Sequence, residues 1–176
     1  MPLMFNHEQN CTMMNKNQAQ MWDNPRFRNW VAVARACHLV QQVLARELKP
    51  LDLKTPHLDI MVNLMRAEGI SQQDLARKLL VGRSNITMLL PQLEKRGLIE
   101  RRPDPADKRA FRLFLTQAGH NLAERAIAIQ ASIIDEIMSL SSPEECEIVG
   151  DAMRRVATQL LKTHPLAEPE ATTAKR

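Results

Sequence analysis

The chain has 176 residues, enough to bury one compact domain with tails and too few for two full-sized ones. Aromatic residues make up 3% and Tyr is absent, while Met numbers ten, a composition that favours packed helices and disfavours an aromatic-rich antiparallel sandwich. The net charge of +4 is unevenly spread: residues 71–115 hold ten Lys and Arg against five acids, so this one segment carries the whole surplus and points to a polyanionic partner.

Residues 1–22 are rich in Asn, Gln and Met without periodicity and read as a flexible extension. Asn24 and Pro25 then supply an N-cap and a proline at the first helical position. Trp30, Ala34, Cys37, Gln41, Leu44 and Leu48 step round one face of this first helix, expected to be buried, until Pro50 ends it. A second helix is expected with Thr55 as cap and Pro56 at its first position, running past Leu58, Val62 and Met65 towards Gly69, a low-cost site for a left-handed end.

Between 69 and 97 the sequence GISQQDLARKLLVGRSNITMLLPQLEKRG has the layout of a helix-turn-helix. Ser71 and Asp74 form a capping-box pattern that opens a short helix burying Leu75 and Leu79, and Leu80, Val81 and Gly82 make the turn. A further helix over 83–96 buries Ile86, Leu89, Leu90 and Leu93 and is closed by Gly97. The period then falls to 2: Phe111, Leu113 and Leu115 share one face of a strand whose partner is 98–102, giving a two-stranded hairpin with a proline-bounded loop over 103–109. Thr116 caps a long amphipathic helix with the stripe Leu122, Ala126, Ile129, Ile133, Ile137, Leu140. Ser142, Pro143 and Glu145 open a last one with Cys146, Val149, Met153, Val156 and Leu160 on its apolar side. The tail 163–176, rich in Pro, Ala, Thr and charge, is expected to be disordered.

The run DLARKLLVGRSNITMLLPQLEKRGLIERRPDPADKRAFRLFLTQAGHNL resembles the MarR family of bacterial transcriptional regulators, most specifically in LEKRGLIER, DPADKR and LTQAG at their order and spacing. The resemblance extends over about residues 25–162. It implies a mainly α fold with a small β-hairpin wing (α+β). A winged helix-turn-helix over 55–115 would be joined to a helical dimerisation region made of 23–50 and 116–162. It further implies a homodimer on double-stranded DNA, each protomer meeting half of a pseudo-palindromic operator, commonly as a repressor released by a small anionic, often aromatic, effector.

For the recognition helix, Arg83, Ser84, Asn85 and Thr87 are the expected base readers, since Arg suits guanine, Asn suits adenine and the Thr methyl suits thymine. Ser84 and Asn85 have a second reading as partners of free amides in the first turn. Two departures from the family pattern stand out: Met88 and Gln92 replace basic residues, and Pro91 removes one helical amide bond. In the wing, Asp107 and Arg109 match an Asp-x-Arg pair, with Arg109 expected in the minor groove and Asp107 bracing it, while Arg101, Arg102 and Lys108 are expected on phosphates.

For an effector the candidates are Trp30, Arg35, His38, Arg46 and His57, each of which also has a structural reading in the buried stripe or the dimer interface. Cys11, Cys37 and Cys146 form no CxxC pair, and the placement of Cys37 and Cys146 on apolar faces argues for buried, inert thiols against the alternative of redox sensing. His7, His38, His57, His120 and His164 show no metal-ligand spacing, so neither metal nor cofactor is expected. There is no glycine-rich phosphate loop, GxSxG or HExxH, which argues against an enzyme; a helical protein-interaction module would leave the basic hairpin unexplained. No apolar run reaches the roughly eighteen residues of a membrane span and no secretory pattern opens the chain, so a cytoplasmic location is expected.

Overall fold

The structure, a computed structural model, describes residues 23–105 and 110–164. The expected extension 1–22, the tail from 165, and Asp107, Lys108 and Arg109 lie outside the described residues. The elements in chain order are α1 (Pro25–Glu47), a 3-10 turn (Lys49–Leu51), α2 (Thr55–Arg66), β1 (Ile70–Ser71), α3 (Gln72–Lys78), α4 (Arg83–Lys95), β2 (Ile99–Pro103), β3 (Phe111–Leu115), α5 (Gln117–Met138) and α6 (Pro143–Thr163). The mainly helical class with a small sheet is as expected. The chain divides into two units after Val43.

In the first unit α1 opens on Asn24, whose side-chain oxygen accepts from the amide of Arg26 at 2.9 Å. The expected buried stripe does not materialise there: Trp30 is 48% exposed, and Cys37 is exposed as well. Burial along α1 begins only at Leu44, the first residue of the second unit. The expectation of an inert, buried Cys37 is therefore corrected, and Cys146 is only half-buried, its Sγ 4.0 Å from the Met138 sulfur.

The second unit is built around Leu48, Leu58, Ile60, Met61, Leu64, Leu75, Ile86, Leu90, Leu93 and Leu113, all fully buried. α2 packs on α5, and the contact face of α5 uses Ala123 and Ala126, whose small side chains let the two backbones approach. The N-cap of α2 is Lys54 rather than Thr55, one residue earlier than expected, with His57 at the third position accepting the Lys54 amide at 3.4 Å. Ser71 caps α3 as expected: its hydroxyl accepts from the Asp74 amide at 3.1 Å and donates to the Asp74 carboxylate at 2.7 Å. That bond, followed by the neighbouring Arg77, holds the Asp74 carboxyl below the ordinary carboxylate range.

In the turn between α3 and α4, Leu80 takes the left-handed conformation, with φ +54°, while Gly82 is extended at φ −61° and serves as the N-cap of α4. α4 runs continuously through Pro91. Ile86, Leu90 and Leu93 are buried as expected, whereas Leu89 is only half-buried.

The expected two-stranded hairpin is a three-stranded antiparallel sheet in the order β1, β3, β2. Ile70 and Ser71 pair with Leu113 and Arg112, an addition that two residues are too few to announce by periodicity. β2 pairs with β3 from Ile99 opposite Leu115 to Pro103 opposite Phe111. The motif LTQAG has a concrete task here. Thr116 accepts the Gly119 amide at 3.0 Å and donates to the Gly97 carbonyl at 2.6 Å, and a Cβ on Gly119 would lie 2.0 Å from the Leu98 carbonyl oxygen. LEKRG and LTQAG are thus two sides of one close contact.

α6 has the expected capping box, Ser142 with Glu145, yet none of its residues is buried. Ile148, Val149, Leu160 and Leu161 are all exposed, as are Ile134 and Met138 on α5 and Leu140 after it.

Candidate nucleic-acid interface

The base-reading candidates lie on the first half of α4, a helix held from behind by Ile86, Leu90 and Leu93. Ser84, Asn85 and Thr87 are all exposed. Gly82 caps the helix without a side-chain bond, so the exposed polar groups of Ser84 and Asn85 are not its N-cap. Thr87 accepts a hydrogen bond from Gln72 Nε2 at 2.9 Å, which ties the two helices of the motif together. Met88, next to it, is 66% exposed.

The sheet stands beside this helix and is braced by ion pairs that sequence reading missed. Arg112 donates to the buried Asp104 at 2.5 Å and to the Gly69 carbonyl at 3.1 Å, joining the loop after β2, strand β3 and the residue before β1. Asp104 and Arg112 flank the charged loop eight residues apart, and the hairpin register alone could have hinted at their meeting. Arg101 donates to Glu94 on α4 at 2.8 Å, with about a quarter of its side chain exposed. A residue expected on phosphate is therefore engaged in fixing the wing to the recognition helix. Arg102, by contrast, is more than half exposed; it pairs with Glu100, and its guanidinium lies over the Phe114 ring at 4.2 Å from the centroid.

Of the effector candidates, His57 and Arg46 belong to the second unit and Trp30, Arg35 and His38 to the first. His38 Nε2 meets Gln42 Nε2 at 2.9 Å one turn along the same helix, and Arg46 pairs with the adjacent Glu47 at 2.9 Å. His57 is buried and lines a cleft of about 650 Å³ with Lys49, Asp52, Lys54, Gln92 and Arg96. Its Nε2 meets the Gln92 side-chain oxygen at 3.2 Å, a contact between α2 and α4. Burial holds the imidazole below its ordinary value of 6.5; the Gln92 bond opposes that, and Lys54 and Arg96 add to it. Arg96 donates to the carbonyls of Asp52 at 2.5 Å and Leu51 at 3.1 Å. Lys49, Lys54, Gln92 and Arg96 were absent from the expected effector set, since only the fold brings the α1–α2 connection against the end of α4.

Among the described residues no cluster of His, Cys, Asp or Glu is arranged to hold a metal ion, and no helix is long and apolar enough to cross a membrane.

Comparison with known proteins adds an independent line. The MarR family model matches residues 51–110. The transcriptional regulator HosA of Escherichia coli O111:H- is 33% identical over 119 residues, covering 67% of this chain and 88% of that protein. Among solved structures, AbsC, a MarR family transcriptional regulator from Streptomyces coelicolor, superposes with TM-score 0.73 at 21% identity, over 78% of this chain and 95% of AbsC. The S. aureus MepR–DNA complex superposes with TM-score 0.70 at 24% identity, over 74% of this chain and 96% of MepR. The helix-turn-helix, the braced wing and a relative matched over most of its length agree: the chain belongs to the MarR family of transcriptional regulators.

Proposed function

We propose that the protein is a cytoplasmic transcriptional repressor that binds a pseudo-palindromic operator as a homodimer and leaves it when a small anionic effector binds. The observation that carries this reading is the exposure of Ser84, Asn85 and Thr87 on α4, a helix whose opposite face is fully buried and which a basic, ion-paired wing flanks. In this reading α4 enters the major groove, with Arg83, Ser84, Asn85 and Thr87 on base edges. Arg109 enters the minor groove with Asp107 bracing it, and Arg102 and Lys108 meet phosphate. Arg101 acts indirectly through Glu94 rather than on phosphate.

The helical pieces 23–50 and 116–162 form the dimerisation region, supported by the run of exposed apolar residues on α5 and α6. Dimer symmetry sets the half-sites about 10–10.5 base pairs apart or a multiple of that, which a footprint reads directly. MepR, described in complex with DNA, supports the same mode for this chain.

For the effector, the cleft lined by Lys49, Lys54 and Arg96 with a single acid, Asp52, favours an anion. Phenolic acids and their thioesters are the probes for a thermal-shift screen, and absence of stabilisation by any of them removes this part of the reading. The exposure of Cys37 supports redox control as a second route to release. Peroxide sensitivity of operator binding that persists in a variant with all three cysteines changed to Ser rules that route out.

The decisive experiment is a gel-shift titration at fixed salt. Arg109→Ala is expected to weaken operator binding by about 1–3 kcal/mol, the worth of one good groove contact. Unchanged affinity removes Arg109 from the interface. Binding of any duplex should fall steeply with added salt, because neutralised phosphates release counterions.

A further inference from the structure

The DNA-facing surface of α4 is unusual in what it does with its polar atoms. The Thr87 hydroxyl accepts from Gln72, on the other helix of the motif, at 2.9 Å. The Met88 carbonyl accepts from Gln92 Nε2 at 3.0 Å. Polar groups at this pair are thus engaged inside the protein, while what Thr87 and Met88 add to the exposed surface is a methyl branch and a thioether chain. Met88 is 66% exposed, the largest exposure of any big apolar side chain on the helix-turn-helix, and Leu80 and Val81 in the turn are exposed too. A large apolar side chain held in water at the reading surface calls for an apolar partner.

The major groove offers one apolar feature on its base edges, the C5-methyl of thymine. Met is flexible and polarisable and adapts to such a group better than a branched side chain does. We infer that Thr87 and Met88 form an apolar reader of thymine methyl groups in each half-site, and that Gln72 is a positioning residue that fixes the Thr87 rotamer for it. Bases in contact with this pair are distinguished by the methyl and not by hydrogen bonding. The inference rests on the operator-binding reading above and adds the chemical class of base that the middle of α4 recognises.

The test begins with the full-length chain selecting duplexes from a random pool. Each thymine of the selected operator is then replaced singly by deoxyuridine, which removes the methyl and leaves every hydrogen-bonding group in place. One or two positions per half-site are expected to lose about fourfold in affinity, the equivalent of one buried carbon. Met88→Gln should abolish the deoxyuridine penalty at one of them while Met88→Leu keeps it, and Thr87→Ser should abolish it at the other. Gln72→Ala should shrink the penalty at the Thr87 position alone, a ratio that a purely structural role would leave unchanged. If every deoxyuridine duplex binds like its parent, or the penalties survive in Met88→Gln and Thr87→Ser, the apolar reader is overturned while operator binding stands. If the penalty at the Thr87 position is the same in Gln72→Ala, the positioning role falls. Selection of no sequence at all overturns operator binding itself, and this inference with it.

Discussion

The segment from Leu44 to Leu115 and the helix α6 use the same apolar vocabulary to opposite ends. In the first, Leu58, Met61 and Leu64 on α2 and Ile86, Leu90 and Leu93 on α4 repeat at helical spacing and are fully buried. In α6, Val149, Val156 and Leu160 repeat just as regularly, yet none is buried and Leu160 is half exposed. Periodicity therefore establishes that a helix has an apolar face, but not that its own chain covers it. A face left open by the protomer is the surface on which a second copy can act.

Truncation separates the two regions most sharply. Leu90→Ala opens a cavity between α4 and the rest of the core and is expected to destabilise by about 2–5 kcal/mol in urea unfolding, at any protein concentration. Leu160→Ala is expected to act on association instead. Its dissociation constant in sedimentation equilibrium should rise, while the dissociated protomer unfolds within about 0.5 kcal/mol of the parent. Equal effects of both variants on the isolated protomer would show that α6 is held within one chain after all.

A second contrast lies within the core, between positions that need apolar volume and one that needs its absence. Gly119 stands so close to the Leu98 carbonyl that an added Cβ would lie 2.0 Å from the oxygen, and the obstacle is backbone rather than a side chain that could swing aside. Gly119→Ala is expected to cost about 1–3 kcal/mol in urea or thermal unfolding, despite being a good helix former's substitution. A neutral result would mean that the start of α5 can shift away from the strand connection freely.

These cases also mark how far the sequence could be read. Signals carried by neighbouring residues were legible: Ser71 with Asp74, Thr116 within LTQAG, Ser142 with Glu145, and Gly97 at the end of α4, which takes φ +66°. The exposed side of α4 followed from its buried side. What the sequence hid was pairing through space, because no local pattern encodes it. Arg101 reads as one more cation until α4 brings Glu94 to it, and Arg112 reads as a strand residue until the hairpin register folds Asp104 against it. His57 and Gln92, 35 residues apart, meet only because α2 and α4 share a core. β1 escaped because two residues have no period. In the turn, Leu80 takes a left-handed backbone that no propensity favours.

Leu80 gives the smaller test of the same lesson about local preference against tertiary demand. It is exposed, so its side chain contributes little to the core, and its φ of +54° is one that a β-carbon disfavours. Leu80→Gly is expected to relieve this, with a net gain of about 0.5–1 kcal/mol after the extra freedom of glycine in the unfolded chain is offset. A loss in thermal unfolding would show that Leu80 packs on its neighbours more than its exposure suggests.

The smallest effect concerns His57, the one buried histidine among the described residues. His57 is kept below its ordinary value of 6.5, first by burial and then by the charges of Lys54 and Arg96, against the pull of the Gln92 bond and Asp52. Its folded value is depressed, so below 6.5 the unfolded chain takes up a proton before the folded one does, and stability falls as pH drops from 6.5 towards the folded value. Above 6.5 both states are neutral at this position and the contribution is fully present. The parent is therefore expected to lose stability across that window, and His57→Gln, which titrates nothing there, to lose less. Every other group is shared by the two proteins, so the difference between the two curves isolates the imidazole. Parallel curves would mean that water reaches His57 in the folded state, and that the cleft beside α4 is more open than its walls indicate.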